Sequence, residues 1–221
     1  MNIPLRLLTI ASFIKPFEVV ADIGADHGLL ELFLIARNTN NSVVAIENKK
    51  GPYEILRENL IGIKNIRLSF SSGLEAVDKS VNTLVLAGMG GLNIVRILEE
   101  YPNKVSKVDK IIIDAHRDTN VVRKYLTELN FKIKKEKIVF EKNTYYVIIV
   151  FEKSDKKVSY KENELEFGYK INKDPLWKDY KAYLLNKSER NLNNIAQSSS
   201  NPSGVKELKA YIKRLKSYGK N

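Results

Sequence analysis

Along the first two thirds of the chain, short and almost continuously apolar runs alternate with segments whose apolar residues recur every three to four positions. The continuous runs, Val19-Val20-Ala21, Val43–Ile46, Ile66–Ser69, Val81–Ala87 and Lys110–Asp114, predict strands buried on both faces. Between them the periodic segments predict helices: an opening one over residues 5–14 set between Pro4 and Pro16, then Leu29 to about Ala36. Three more follow, from Gly51-Pro52 to about Ile61, around Ile94, Val95, Ile97 and Leu98 up to Pro102, and from Thr119 to Leu129. Phe131–Phe140 and Tyr145–Phe151 read as two further strands around the short turn Glu141-Lys142-Asn143-Thr144, which makes that pair antiparallel. Strand–helix alternation of this kind predicts an α/β fold: a doubly wound, mostly parallel seven-stranded sheet covered on both faces.

Past Asp155 the pattern changes, which divides the chain into expected domains 1–155 and 156–221. Residues 156–173 are polar and carry no clear periodicity, and Asp174-Pro175 then fits a helix start. Trp177, Tyr180, Leu184, Leu192 and Ile195 recur at helical spacing, interrupted by polar residues around 187–191. Residues 197–204 read as a loop, and Val205, Leu208, Tyr211, Ile212, Leu215 and Tyr218 resume the period. The expected form is a C-terminal antiparallel helical hairpin with a coiled-coil-like seam, its aromatics packed in that seam.

Charge sharpens this division. The net charge is +11, of which residues 156–221 carry +8, from 15 Lys and Arg against 7 Asp and Glu. Basic charge gathered on one segment suits a phosphate backbone; the alternative is a solvated, lysine-rich face in a chain rich in Lys and Asn throughout. No apolar run is long enough for a membrane span. With no cysteine and only His27 and His116, neither thiolate chemistry nor a histidine-built metal site is expected. Residues 5–14 are short and interrupted by Arg6, so they read as an amphipathic helix and not a signal peptide, and a cytoplasmic, metal-free protein follows.

Candidate chemistry gathers at Asp22-Ile23-Gly24-Ala25-Asp26-His27-Gly28, which joins the first strand to a helix beginning Leu29-Leu30-x-Leu32-Phe33-Leu34. Glycines there let a ligand approach the backbone, and a helix N-terminus offers free N–H donors. Glu47, at the end of the second strand, stands where such sheets place an acceptor for ribose hydroxyls. The spacing departs from G-x-G-x-x-G, and Asp22 and Asp26 would repel a pyrophosphate. Two acids instead suit a ligand bearing an ammonium and a sulfonium, which is S-adenosylmethionine; the alternative is an ordinary turn whose acids cap a helix. A second glycine turn, Gly88-Met89-Gly90-Gly91, follows the fourth strand and offers bare backbone to a flat group.

Taken together, Arg6-Leu7, the run Ala21–Gly28, Glu47 with Gly51-Pro52, Gly73-Leu74-Glu75 and Ala87–Gly91 resemble the bacterial tRNA (adenine-22-N1)-methyltransferases over nearly the full length. The resemblance implies a class I methyltransferase fold with a coiled-coil C-terminal domain, S-adenosylmethionine as cofactor and the D-arm of tRNA as substrate. By position it implies cofactor contacts at Asp22, Gly24, Asp26, His27, Glu47, Gly73, Gly88 and Met89, and the adjoining Ala25, Asn48 and Ser72 are expected to contact the cofactor as well. Asp26 and Asp114 are the expected catalytic carboxylates, and Arg6, Gly90, His116, Lys178, Lys181, Lys209 and Lys213 the expected substrate contacts. This chain has Ser72 where the family usually has Asp, and Asp114-Ala115-His116 where it has Gln-Pro-Asn. A monomer is expected. The competing readings are a class I methyltransferase acting on another RNA or a small molecule, and an RNA-binding protein with a weakened cofactor pocket.

Overall fold

The computed structural model describes residues 3–197 and 202–219. The chain divides into two compact units, one up to Ser159 and one from Tyr160.

The first unit is built on one seven-stranded sheet: β1 (Val19–Ile23), β2 (Ser42–Glu47), β3 (Ile66–Phe70), β4 (Thr83–Met89), β5 (Lys110–Ala115), β6 (Phe131–Glu141) and β7 (Thr144–Lys153). Their spatial order is β3-β2-β1-β4-β5-β7-β6. β1 to β5 run parallel, and β7 lies antiparallel between β5 and β6. Six helices belong to this unit: α1 (Leu5–Ser12), α2 (Leu29–Ala36), α3 (Lys50–Leu60), α4 (Gly91–Glu100), α5 (Pro102–Val105) and α6 (Thr119–Glu128). The apolar runs behave as their pattern requires, since Val20, Ala21, Leu84, Val85, Leu86 and Ile111–Ile113 are fully buried. Ile10, Ala11 and Ile14 near α1 and Leu30 and Leu34 of α2 pack on the sheet through Val43, Val85, Ile112 and Ile148. At the foot of the sheet the buried Lys110 Nζ donates to Glu18 Oε1 at 2.5 Å and to the Phe13 carbonyl at 2.8 Å, so its charge is paired where it leaves water. Pro102 does more than end α4: it opens α5 at the first helical position, where its missing N–H costs nothing.

The second unit holds α7 (Glu162–Phe167), a 3₁₀ turn over Ile171–Lys173, α8 (Trp177–Gln197) and α9 (Pro202–Ser217). The segment without a legible period thus contains a short helix, begun where the Lys161 N–H donates to Glu164 Oε2 at 2.8 Å. Arg214 of α9 grips Glu166 through Nε at 2.7 Å and Nη2 at 2.6 Å. α8 is a single helix of 21 residues, unbroken across 187–191. Lys187, Glu189 and Arg190 are good helix formers, and Ser188 satisfies its hydroxyl on the Leu184 carbonyl at 2.8 Å. Pro202, Ser203 and Gly204, expected in a loop, form the first turn of α9, while the Ser198–Asn201 part of that loop lies outside the described residues. The two helices run antiparallel, with Trp177 of α8 stacked edge-on against Tyr218 beyond α9 at 5.6 Å. Phe167 meets Tyr211 at 5.5 Å, so these aromatics serve as packing.

Candidate functional site

The strand order reverses between β1 and β4, which lie side by side with Ile23 opposite Leu86. In an open parallel sheet the crevice beyond the carboxyl ends of such a pair is left uncovered by crossover helices. A cleft of about 460 Å³ occupies that position here, lined by the first turn, the ends of β2 and β4, the Ser71–Gly73 loop and α1.

The first turn is held by the second strand. Gly24 at φ +81° and Ala25 donate their N–H groups to the Ile46 carbonyl at 2.8 and 3.0 Å. Asp26 occupies the left-handed region at φ +52° and donates its N–H to Glu47 Oε2 at 3.3 Å. Glu47 Oε1 accepts from the N–H groups of Asn48 and Lys49 at 3.0 and 2.9 Å, so one carboxylate ties both loops together. Gly28 caps α2 at φ +76°, where a Cβ would lie 2.7 Å from Leu60, and it lets α3 close on the turn. No side chain caps α2, so Asp22 and Asp26 are not spent on helix capping. Asp26 instead projects from the turn with its side chain 70% exposed, 3.5 Å from the His27 imidazole.

Behind the turn sits an acid that the sequence concealed. Glu31, in the first turn of α2, is fully buried, and neither carboxyl oxygen meets an N–H or hydroxyl donor. Its neighbour is the Asp22 carboxyl, and two carboxyls can share a hydrogen bond only if one keeps its proton. Burial pushes Asp22 from the ordinary 3.8 up to about 7, against the hydrogen bond from Glu31 and the charge of Arg6, while Glu47 and Asp26 add to the rise. Burial, then the Asp22 charge, pushes Glu31 well above the usual carboxylate range.

The glycines at the end of β4 and just beyond it have separate tasks. Gly88, at φ +79° in a bulge of the β4–β5 pairing, faces Arg6 and His116, and a Cβ there would lie about 4 Å from each. Beside Gly90 stands Arg117, 82% exposed, whereas Gly91 abuts the Asp118 backbone so closely that a Cβ would sit 2.3 Å from its carbonyl oxygen. Arg6 reaches from α1 to Asp114 Oδ2 at 3.1 Å and lies 5.8 Å from the Tyr146 ring, which meets His116 edge-on at 6.0 Å. Asp114 is fully buried and its Oδ1 has no hydrogen-bond partner; burial raises its carboxyl above the usual range, opposed by Arg6 and His116.

Every residue expected to touch a cofactor (Asp22, Gly24, Ala25, Asp26, His27, Glu47, Asn48, Ser72, Gly73, Gly88 and Met89) lines this one cleft, as do Arg6 and His116. Gly90 and Asp114 are not among the lining residues; Asp114 is buried and bonds Arg6, which is one of them. Lys178, Lys181, Lys209 and Lys213 belong to the second unit. Of these, Lys181 donates to the Lys216 and Tyr218 carbonyls at 3.2 and 2.6 Å, closing the end of α9, while the other three are exposed. The sequence reading passed over Glu31, Arg96 and Tyr146. Arg96 lines the cleft and bonds Asn93 Oδ1 at 3.0 Å, but its position on a regular helix face gave it no distinguishing mark. Among the described residues no cluster of His, Cys, Asp or Glu could hold a metal ion, and no helix is long and apolar enough to cross a membrane.

Residues 3–149 match the family model described as Methyltransferase domain. The chain is 26% identical to the tRNA (adenine(22)-N(1))-methyltransferase of Bacillus subtilis over 221 residues, covering 95% of this chain and 92% of that one. Among solved structures it is similar to Sp1610 of Streptococcus pneumoniae, provisionally assigned as a tRNA (m1A22) methyltransferase, with 30% identity, TM-score 0.85 and coverage of 97% of this chain and 98% of that one. It is similar also to M. capricolum TrmK, solved with S-adenosyl-homocysteine, with 25% identity, TM-score 0.85 and coverage of 99% and 98%.

Proposed function

The chain belongs to the methyltransferase domain family, and from that premise we propose that it transfers a methyl group from S-adenosylmethionine to N1 of adenine 22 in the D-arm of tRNA. Relatives that match nearly end to end carry that activity in their names. The observation that carries the reading to this chain is the donor set of the cleft. Asp22, Asp26 and Glu47 make the cofactor end acidic, and the Asp22–Glu31 pair lacks a cation of its own apart from Arg6. A bound cation with an ammonium, together with ribose hydroxyls, would satisfy these groups; a pyrophosphate would not.

Bound there, S-adenosylmethionine supplies an electrophilic methyl group on a sulfonium. Glu47, fixed by three backbone N–H groups, is placed to accept from the ribose hydroxyls, and Asp22 to receive the ammonium. Ser71, Ser72 and Gly73 form the adenine side of the cleft, with Ser72 offering a hydroxyl where the resembled family has a carboxylate. Adenine N1 carries a free lone pair at neutral pH, so no base is needed to remove a proton before attack. What the protein must do is hold N1 in line with the methyl group, a form of positioning worth up to about 7–11 kcal/mol. The face of Gly88, flanked by Arg6 and His116, gives the target base a flat approach to bare backbone. Methylation leaves the adenine cationic, and the exposed Asp26 carboxylate stabilises that developing charge. Asp114 holds Arg6 in place and is a positioning residue. Exposed Lys178, Lys209 and Lys213 grip phosphates, offsetting the few kcal/mol spent on taking the base out of its helix. The enzyme acts as a monomer in the cytoplasm.

Incubation with S-adenosylmethionine and unmodified tRNA, followed by chromatography of the digested nucleosides, is the test. One 1-methyladenosine per tRNA supports the reading. Methyl transfer to a different nucleoside or to a small molecule would replace the substrate, and absence of S-adenosylhomocysteine binding would remove the cofactor.

A further inference from the structure

We propose that Glu31 is a positioning residue for the amino-acid end of the cofactor: it stays protonated and donates its hydrogen to Asp22, which favours the Asp22 carboxylate that meets the ligand's ammonium. The inference rests on the cofactor reading above and goes beyond it, because Glu31 touches no part of the cleft.

Glu31 is the one acid in the run Leu29–Ala36, and that helix face is packed into the core through Leu30 and Leu34. A fully buried carboxyl with no donor on either oxygen is costly, and an apolar residue there would stabilise the fold. A feature that costs stability without serving packing has to be accounted for by what it touches, and Glu31 touches Asp22. The groups facing Asp22 are Arg6 from α1, Glu47 from β2, Asp26 from the turn and Glu31 from α2. Only Arg6 among them favours the carboxylate by charge, and Arg6 is committed to Asp114. The hydrogen bond from Glu31 works in the same direction as Arg6, so without it Asp22 would keep its proton to higher pH than it does now and more often meet the ammonium as a neutral acid. With Glu31 donating, the proton of the pair resides on the deeper, wholly enclosed carboxyl, and the negative charge faces the cleft. No proton has to move between the two for the ligand to bind. At pH 7 the fraction of Asp22 still protonated is released to solvent when the ammonium arrives.

Two variants of the full chain and two probes test this. Glu31→Gln keeps a permanent donor without an ionisable group, and Glu31→Leu removes the donor with little change of volume. The probes are S-adenosylhomocysteine, which carries the ammonium, and 5′-methylthioadenosine, which lacks the whole amino-acid end. The expected result is that Glu31→Leu binds S-adenosylhomocysteine about tenfold or more weakly while its midpoint of thermal unfolding rises. Methylthioadenosine should bind parent and both variants alike, and Glu31→Gln should bind S-adenosylhomocysteine within about threefold of the parent. A Leu variant that binds S-adenosylhomocysteine as tightly as the parent overturns the proposal, and so does one that loses both probes equally, because Glu31 would then be structural. A parent that binds neither probe sinks the cofactor reading itself, and the proposal with it.

Discussion

Asp26 rests in the left-handed region at φ +52° with most of its side chain in solvent, a backbone state that Asn shares at little cost. Asp26→Asn therefore removes charge from the turn and leaves its shape. If the carboxylate stabilises charge that develops only as the methyl group is transferred, single-turnover rates on saturating tRNA should fall by about tenfold or more. S-adenosylhomocysteine affinity should change by less than about twofold; a variant as fast as the parent would leave Asp26 without a part in the reaction. Glu47 calls for the opposite expectation, because its carboxylate both faces the cleft and receives the N–H groups of Asp26, Asn48 and Lys49. Calorimetry of Glu47→Ala should show cofactor binding weaker by about 1.5–3 kcal/mol, the range for a hydrogen bond to a charged group. Asp22 adds a pH dependence whose sign is fixed by the direction of its shift, from 3.8 up to about 7. Between those values the unliganded protein holds a proton there that the unfolded chain has released, so the stability due to this group is lost as pH rises through about 7. Cofactor affinity runs the other way and should be weaker at pH 6 than at pH 8, which titrations of S-adenosylhomocysteine at the two values would read directly.

At the level of elements, the glycines separate into those a helix needs only for its ligand and those it needs for its neighbours. A Cβ on Gly91 would lie 2.3 Å from the Asp118 carbonyl oxygen, backbone that cannot swing aside, whereas one on Gly51 would meet nothing within 4 Å. Gly91→Ala should cost about 2 kcal/mol or more of stability in denaturant unfolding, while Gly51→Ala in α3 should gain about 0.5–1 kcal/mol. The same contrast explains how much could be read from the chain. Strands β1, β2, β4 and β5 were legible because each is buried on both faces and so is apolar almost throughout, whereas β3, expected to be the same, is a half-exposed edge strand; the placing of turns at the carboxyl ends gave the cleft-lining residues together. The continuity of α8 across residues 187–191 was hidden, since a polar stretch on a half-exposed helix looks like a break unless its partner helix is known. Pro202–Gly204 misled for a related reason: Pro at the first helical turn and Pro in a loop have the same local signature. Glu31 left a signal, an acid inside an apolar run, but nothing local says that the acid is buried or that Asp22 is its partner. Arg6, Asp114 and Tyr146 meet only because β5 and β7 are neighbours in the sheet, a pairing that no spacing along the chain reveals.

Across the whole molecule, the proposed division of labour follows the division of charge, with the acidic cleft in the first unit and most of the net positive charge in the second. Lys209 and Lys213 are one turn apart on α9 and exposed, and Lys178 is exposed at the start of α8. Replacing all three by Ala should reduce the dependence of log affinity for tRNA on log salt by about 2–3, if each meets one phosphate. Affinity for S-adenosylhomocysteine should stay as it was, and an unchanged salt slope would mean that these lysines merely solvate the hairpin. Ser72 in place of the family's carboxylate, and Asp114-Ala115-His116 in place of its Gln-Pro-Asn, both lie in the first unit, so under the proposed function they would bear on the cofactor and the target base and not on the grip. The target base is therefore the part of the account most worth direct measurement. Two transcripts of one tRNA, identical except for adenine or guanine at position 22, would each be incubated with the protein and S-adenosylmethionine and their nucleosides quantified. The account predicts stoichiometric 1-methyladenosine from the first transcript and none from the second; equal yields from both, or none from either by a protein that binds S-adenosylhomocysteine, would contradict it.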